Sequence, residues 1–342
     1  MLRGIRYGRP CMQTYLYGYI ALVKPKVIVT LIDNSLPFYF INHRFPKAIT
    51  IAIQNGRRDN FGRKPNTGLL DLLQIDHGWG KPTISHYCMF GEAEISLLRK
   101  YIRANFIATG NLQNNSYPQK PLTARARPKI SFVSSHPNLS HDLSTTALSQ
   151  DTYMHTGNRT ISFFEYYRIE RDVAKVVGQY CAENNLDFHI VGKRPETTPQ
   201  EHAFYAEALG EIPFTFHPCS TEGASYPRLL DSDVVVTVDS TIAYELFGRG
   251  KRVAFISVRG EAIGHSSIDF CRFASPLSTP DTGSNWTNTF DPMVIKSKLE
   301  FVRSSSQSEW EDATKSIAPQ LVYFDEGNTR IRSLFTSLGL AR

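Results

Sequence analysis

The chain has 342 residues, 41% of them hydrophobic and 20% charged, with a formal charge of +6. At roughly 150 residues per domain this length accommodates two domains with separate cores, and the composition excludes a disordered or fibrous chain. No stretch is long and apolar enough to span a bilayer, and the basic balance, with a pI near 9.0, points to anionic partners such as nucleotide phosphates, acidic sugars or an anionic membrane face. The basic clusters "RRDNFGRK" and "TARARPK" supply part of that charge. No nucleic-acid-binding signature accompanies them, so nucleic acid is not an expected partner.

The chain opens with Arg3, Arg6 and Arg9 ahead of the apolar run "TYLYGYIALV". That run is only ten residues long, is followed by "KPK" and shows no small-residue cleavage site, so it reads as an amphipathic helix of a cytoplasmic protein that can contact a membrane peripherally. No strand precedes this helix, which leaves room for an N-terminal domain without its first strand. Short β-branched runs then alternate with helical patterns: "KVIVTLI" (26–32), "AITIAIQ" (48–54), "TISHYCMF" (83–90) and "FIATG" (106–110), with the amphipathic "EAEISLLRKYI" (92–102) between the last two. Such alternation predicts a parallel sheet with crossover helices.

The polar, proline-containing stretch 111–128 reads as a linker, after which the alternation restarts. "KISFVSS" (129–135), "DFHIVGK" (187–193), "IPFTFH" (212–217), "DVVVTV" (233–238) and "RVAFIS" (252–257) are the strands. The patterns at 165–185, 201–210 and about 241–248 are the helices. The predicted fold is α/β, two doubly wound, Rossmann-like domains facing a central cleft at the carboxyl ends of their strands. Residues 1–122 form the first, 123–305 the second, and 306–342 a helical tail able to pack on either.

Five scattered cysteines without a C-x-x-C pair predict reduced thiols in a reducing compartment. No histidine cluster has metal-ligand spacing, and "DSD" (231–233) introduces a strand instead of ending one, so no metal is expected. The dinucleotide fingerprint and the P-loop pattern are both absent, and no cofactor is expected.

The densest signal is "VVVTVDSTIAYELFGRG" (234–250). A buried strand delivers Asp239, Ser240 and Thr241 to the start of a helix, where free N–H groups and hydroxyls suit a phosphate. Glu245 lies one turn along the same face, placed to accept from ribose hydroxyls, and Gly248 and Gly250 close the helix. A plain N-cap with Glu245 on the surface is the competing account. In the first half, Asp33 and Asn34 follow one strand, and Gln54, Asn55, Gly56, Arg57 and Arg58 follow the next. Both clusters then face one cleft. Asp33, with Asn34 beside it, is the candidate catalytic carboxylate, as a general base or a nucleophile. The cluster around Arg57 and Arg58 is the candidate acceptor or substrate site, able to grip a sugar carboxylate. Turn chemistry and a solvated arginine pair are the bland alternatives. Lys193 and His217, each at a strand end, are further nucleotide-binding candidates, with His136-Pro137 competing with His217-Pro218.

"SDVVVTVDSTIAYELFGRGKRVAF" resembles the nucleotide-binding segment of GT-B glycosyltransferases, in the version of surface-carbohydrate transferases such as the 3-deoxy-manno-octulosonate (Kdo) and sialic acid transferases. "VTLIDNSLPFYFINHRFPKAITIAIQNGRR" (29–58) looks like the N-terminal signature of a surface carbohydrate biosynthesis family. His217-Pro218 is similar to the His-Pro motif of the CMP-sugar enzymes, where the histidine meets the donor phosphate. The resemblance implies a metal-independent GT-B enzyme that moves a sugar, in particular an acidic one from a CMP donor, to a surface-polysaccharide or lipid-linked acceptor. The same fold leaves open a CDP-alditol phosphotransferase, a nucleotide-sugar 2-epimerase, or a non-catalytic nucleotide-binding subunit.

Overall fold

The computed structural model describes residues 12–57, 69–75, 78, 80–119, 125–135, 152–156, 159–196, 199–220, 223–265 and 270–340. After the helix Met12–Val23 come strands β1 (Val27–Thr30), β2 (Ile49–Ile53), β3 (Thr83–Met89) and β4 (Arg103–Ala108), which pair in parallel and in chain order. Parallel neighbours need crossovers. Helices Ile41–Arg44 and Leu69–Gln74 and the helix Glu92–Leu98 lie on these connections. One face of the sheet buries Tyr39, Ile84, Tyr87, Ile95 and Leu98.

The second half contributes β5 (Lys129–Val133), an antiparallel pair β6 (Thr152–Thr156) and β7 (Arg159–Ser162), then β8 (Asp187–Val191), β9 (Thr215–His217), β10 (Val234–Thr237), β11 (Val253–Ile256) and β12 (Trp286–Thr287). Six of these form a parallel sheet in the order β12-β11-β10-β5-β8-β9. Counted within the sheet this is the doubly wound order, running outward in both directions from its first strand, β5. The order reverses between β5 and β10, so a crevice opens there at the strands' carboxyl ends. The helix Phe163–Glu183 covers β5 because Val173, Ala174 and Val177 recur on one face. It starts at a capping box, with Ser162 N donating to Glu165 at 2.9 Å and Glu165 N to Ser162 Oγ at 3.1 Å, an arrangement worth about 1 kcal/mol.

The tail uses both halves. Trp310 enters the second core beside Phe247, while Ile331 and Leu334 of the helix Thr329–Ser337 cover the other face of the first sheet against Ile51, Ile53 and Cys88. Between these anchors, Tyr323 N donates to Phe90 O at 2.7 Å. A Cβ at Gly91 or Gly248 would collide with the carbonyls of Gln320 or Val322. Gly248 is therefore required by close backbone approach, whereas Gly250, at φ 86°, carries the left-handed turn after the helix. Cys88, Cys181 and Cys271 are buried and Cys219 is half-buried. No helix among the described residues is long and apolar enough to cross a membrane.

Candidate functional site

At the β5/β10 switch point lies a cavity of about 440 Å³ whose wall takes Asn55 and Gln113 from the first half and Lys193, Tyr226, Ser240 and Thr241 from the second. The local sequence explains its floor. Val234, Val235 and Val236 are at most 1% exposed, so β10 is locked in the sheet and its carboxyl end is fixed. Ser240 occupies the N-cap of the helix Thr241–Gly248 in an extended conformation, and its side chain makes no capping bond. Its backbone N–H is held by Thr237 Oγ1 at 2.9 Å. The helix start thus presents hydroxyls and first-turn amides, with the positive end of the helix dipole, to whatever occupies the cavity.

One turn on, Glu245 is only 3% exposed. Burial pushes its carboxyl up to about 8, against the opposing pull of its hydrogen bond from the Tyr226 hydroxyl. Tyr226 is itself stacked on Tyr117, with ring centroids 5.2 Å apart, and Asn114 Nδ2 donates to the Glu245 carbonyl at 3.0 Å. A carboxyl in this state both donates and accepts, and it becomes an acceptor of two hydroxyl protons once it ionises.

Behind the cavity stands a buried ionic network. Arg259 has no exposed surface. Its Nε donates to Asp239 Oδ2 at 2.6 Å and its Nη2 to Asp239 Oδ1 at 3.2 Å, while Nη2 also reaches Glu170 Oε1 and Nη1 the Tyr166 carbonyl. Glu170 accepts in addition from Tyr205 at 2.9 Å and from Ser135 N at 3.1 Å. Burial pushes the Asp239 carboxyl up, but the Arg259 charge and hydrogen bonds outweigh it and hold the group below the usual range. For Glu170 burial wins and its carboxyl is raised. The ionised Asp239 therefore lies on the cavity wall, joined to Ser135 Oγ at 3.1 Å across the switch point. Glu201 ties down the end of β8, accepting from Lys193 N and Arg194 N, each at 2.8 Å.

Of the residues expected from the sequence, Asn55, Lys193, Ser240, Thr241 and Glu245 meet on this wall. Others do not. Asp33 is 1% exposed, with Oδ2 taken by the Tyr87 hydroxyl at 2.9 Å and Oδ1 by Asn55 N at 3.3 Å, so it braces Asn55 from behind instead of facing a substrate. Asn34 is exposed and lies off the wall. Gln54 is buried between Phe90 N, at 2.7 Å, the Gly56 carbonyl, at 2.8 Å, and Glu94, which makes both Gln54 and Gly56 parts of the loop's scaffold. Arg57 stacks over the Tyr244 ring at 3.9 Å and donates to Ser275 O at 2.5 Å, linking the two halves. His217 stacks on His189, Nε2 to Nδ1 at 2.7 Å, and desolvation lowers both rings, His189 to about 4. It does not line the cavity. Arg58 and His136-Pro137 lie outside the described residues.

The sequence reading missed Arg259, Glu170 and Tyr226. Arg259 did carry a signal, a charged residue just past a buried strand. Glu170 sits within a long amphipathic helix, where nothing in the pattern separates it from the surface glutamates.

A four-stranded and a six-stranded parallel sheet, facing each other across a cavity at the second sheet's switch point, define the GT-B class of fold. The chain belongs to the family described as "putative O-antigen biosynthesis protein", whose family model matches residues 51–338. No curated protein matches the sequence. Among solved structures, a UDP-N-acetylglucosamine 2-epimerase is similar with a TM-score of 0.53 at 12% identity, over 96% of this chain and 77% of that one. The UDP-GlcNAc 2-epimerase of Methanocaldococcus jannaschii, in complex with UDP-GlcNAc and UDP, gives 0.51 at 12% identity over 95% and 80%. A variant of the wall teichoic acid polymerase TagF soaked with CDPG gives 0.50 at 11% over 91% and 72%. These likenesses establish the fold.

Proposed function

We propose that the chain is a metal-independent glycosyltransferase of surface-polysaccharide synthesis that takes a nucleotide-activated sugar, an acidic one from a CMP donor, and passes it to a polysaccharide or lipid-linked acceptor. The observation that carries this reading is the uncapped helix start at Ser240–Thr241 with Glu245 one turn away in the same cavity. The donor phosphate sits at the helix start, the ribose hydroxyls on Glu245 and Tyr226, and Lys193 meets an acidic group of the sugar because Arg57 is engaged elsewhere. With Asp33 covered, Asp239 is the ionised carboxylate placed to accept from a sugar hydroxyl. Catalysis is then positional and electrostatic. The ligands named for the neighbouring structures, UDP-GlcNAc, UDP and CDPG, are in keeping with a nucleotide site on this fold.

The test is a thermal-shift series with CMP, CDP, UMP, UDP, GDP and ADP. A ligand at 100 times its Kd stabilises the native state by about 2.7 kcal/mol. CMP is expected to raise Tm, and Ser240→Ala/Thr241→Ala to abolish the rise without lowering the unliganded Tm, since Ser240 makes no capping bond. Stabilisation by UDP or GDP alone would replace the donor, and silence with all six nucleotides would remove the nucleotide site. A 2-epimerase is the second reading, favoured by the epimerases among the fold neighbours. Turnover of the nucleotide sugar without any acceptor would establish it.

The same reading includes a peripheral membrane contact. Tyr15, Tyr19 and Leu22 share one helical stripe and are each more than half exposed, at 56%, 55% and 61%, and Lys24 and Lys26 follow directly. Tyrosine and lysine at that spacing suit an anionic interface. Co-sedimentation with phosphatidylglycerol vesicles is expected, and Tyr15→Glu/Tyr19→Glu/Leu22→Glu should release the protein. Equal binding by both forms would rule the surface out.

A further inference from the structure

The cavity at the switch point has two ends, set apart along the helix Thr241–Gly248. At one, just before the helix, Asp239 is bonded to Ser135 and Arg259, and Lys193 lines the same wall. At the other, one turn into the helix, Glu245 is bonded to the Tyr226 hydroxyl. The first half closes this second end. Its short helix Leu112–Ser116 is capped by Asn111, whose Oδ1 accepts from Gln113 N at 2.8 Å and from Asn114 N at 3.0 Å and lies 3.4 Å from the Tyr226 hydroxyl. Asn114 then holds the Glu245 carbonyl, and Tyr117 stacks on Tyr226 and donates to the Gly223 carbonyl at 3.3 Å.

Most polar groups at this end are committed to one another, but two that line the cavity are not. The half-buried side-chain amide of Gln113 makes no hydrogen bond among the described residues, and neither does the Ser225 hydroxyl at the start of the helix Ser225–Leu230. Gln113 lies against Gly223, where a Cβ would collide with its Nε2. Gly223 also has φ 80°, so glycine is needed there both for the turn and for the room it leaves the amide. Ile242, three residues before Glu245 on the same helix face, adds an apolar patch to the wall.

On the reading of this cavity as a nucleotide site, we infer that its second end is the base subsite and that Gln113, supplied by the first half, is the residue that reads the base. Connectivity carries the first part. With the phosphate at Ser240–Thr241 and the ribose on Glu245, the base leaves the ribose on the side away from the phosphate, runs on away from Asp239 and arrives between Gln113 and Ser225. Chemistry carries the second. An amide offers a donor and an acceptor side by side, the complement of N3 and the C4 substituent of a pyrimidine. Toward cytosine, Nε2 donates to N3 and Oε1 accepts from the 4-amino group. Turned over, the same amide accepts from N3–H of uracil and donates to O4. Gln113 thus recognises the base edge and neither the phosphate nor the sugar, and a bound base ties the two halves together.

Calorimetric titration of the full chain with CMP, UMP and ribose 5-phosphate tests it. The near-isosteric Gln113→Met is expected to weaken CMP about tenfold, through the loss of two hydrogen bonds. Ribose 5-phosphate, which has no base, should bind this variant as it binds the wild type. The unliganded Tm should not move, since the amide makes no bond among the described residues. Ser240→Ala/Thr241→Ala should lose both ligands, because they share the phosphate. A Gln113→Met protein that binds nucleotide like the wild type, or that loses CMP and ribose 5-phosphate equally, overturns the base assignment and leaves the phosphate site standing. Binding of UMP in place of CMP, still weakened by Gln113→Met, would bear out Gln113 while replacing the donor. A wild type that binds neither nucleotide would remove the nucleotide reading and this subsite with it.

Discussion

Arg259→Met is expected to destabilise the protein by about 3 kcal/mol, because it leaves the fully buried Glu170 and the half-buried Asp239 side by side without their cation. The side chain is fully buried and bonds to both carboxyls and to the Tyr166 carbonyl, so no other group in the network can substitute for it. Arg259→Lys should recover only part of the loss, since an ammonium cannot reproduce the fork that spans the two acids. Removing the acids as well, in Arg259→Met/Asp239→Asn/Glu170→Gln, should restore much of the stability, as apolar or neutral replacement of a whole buried ion cluster commonly does. Urea denaturation reads all three. An unchanged midpoint for Arg259→Met would mean that the guanidinium is solvated and that Asp239 is not held ionised on the cavity wall.

The second large effect is a pH dependence at Glu245. Its folded-state value of about 8 lies above the ordinary 4.5. The folded protein therefore binds the proton more tightly than the unfolded chain. The stability this contributes is complete below pH 4.5 and is lost as pH rises through 8, at up to about 1.4 kcal/mol per pH unit. Glu245→Gln, which mimics the protonated carboxyl and keeps an acceptor for Tyr226, should match the wild type near pH 5 and exceed it in Tm at pH 8. If ribose hydroxyls donate to Glu245, nucleotide binding should also expel a proton near pH 7, seen as a dependence of the calorimetric enthalpy on the buffer's ionisation enthalpy. The Gln variant should lose that dependence. Parallel pH profiles for the two proteins would place the carboxyl in water, and the ribose assignment would go with it.

The elements that could be read from the chain are those whose signal is local. "VVVTV" is apolar on both faces and too short for a buried helix, which makes it a central strand, and the helix 241–248 followed from the residues after it. The pair β6–β7, the two-residue strand β12 and the helix Ser225–Leu230 were missed, since each is short and held by neighbours distant in sequence. In the site, Ser240, Thr241 and Glu245 were legible because strand, helix start and one helical turn are all contained in a dozen residues. Asp33 misled because a carboxylate at a strand end looks the same whether it faces a cleft or lies under it. Tyr87, 54 positions away, decides that question here.

What the sequence determined by itself was the alternation that makes the α/β layers, the strand ends at which polar groups gather, and the absence of a long apolar span, all consequences of periodicity over fewer than about 20 residues. Only the tertiary structure decided which of those polar groups share a cavity. Strand order places β5 beside β10, which brings Ser135 to Asp239, and the helix Phe163–Glu183 and the segment after β11 bring Glu170 and Asp239 onto the one guanidinium of Arg259. It also decided that the tail closes on both halves. Those pairings depend on burial and charge satisfied between residues far apart in the chain, and no local pattern carries that information.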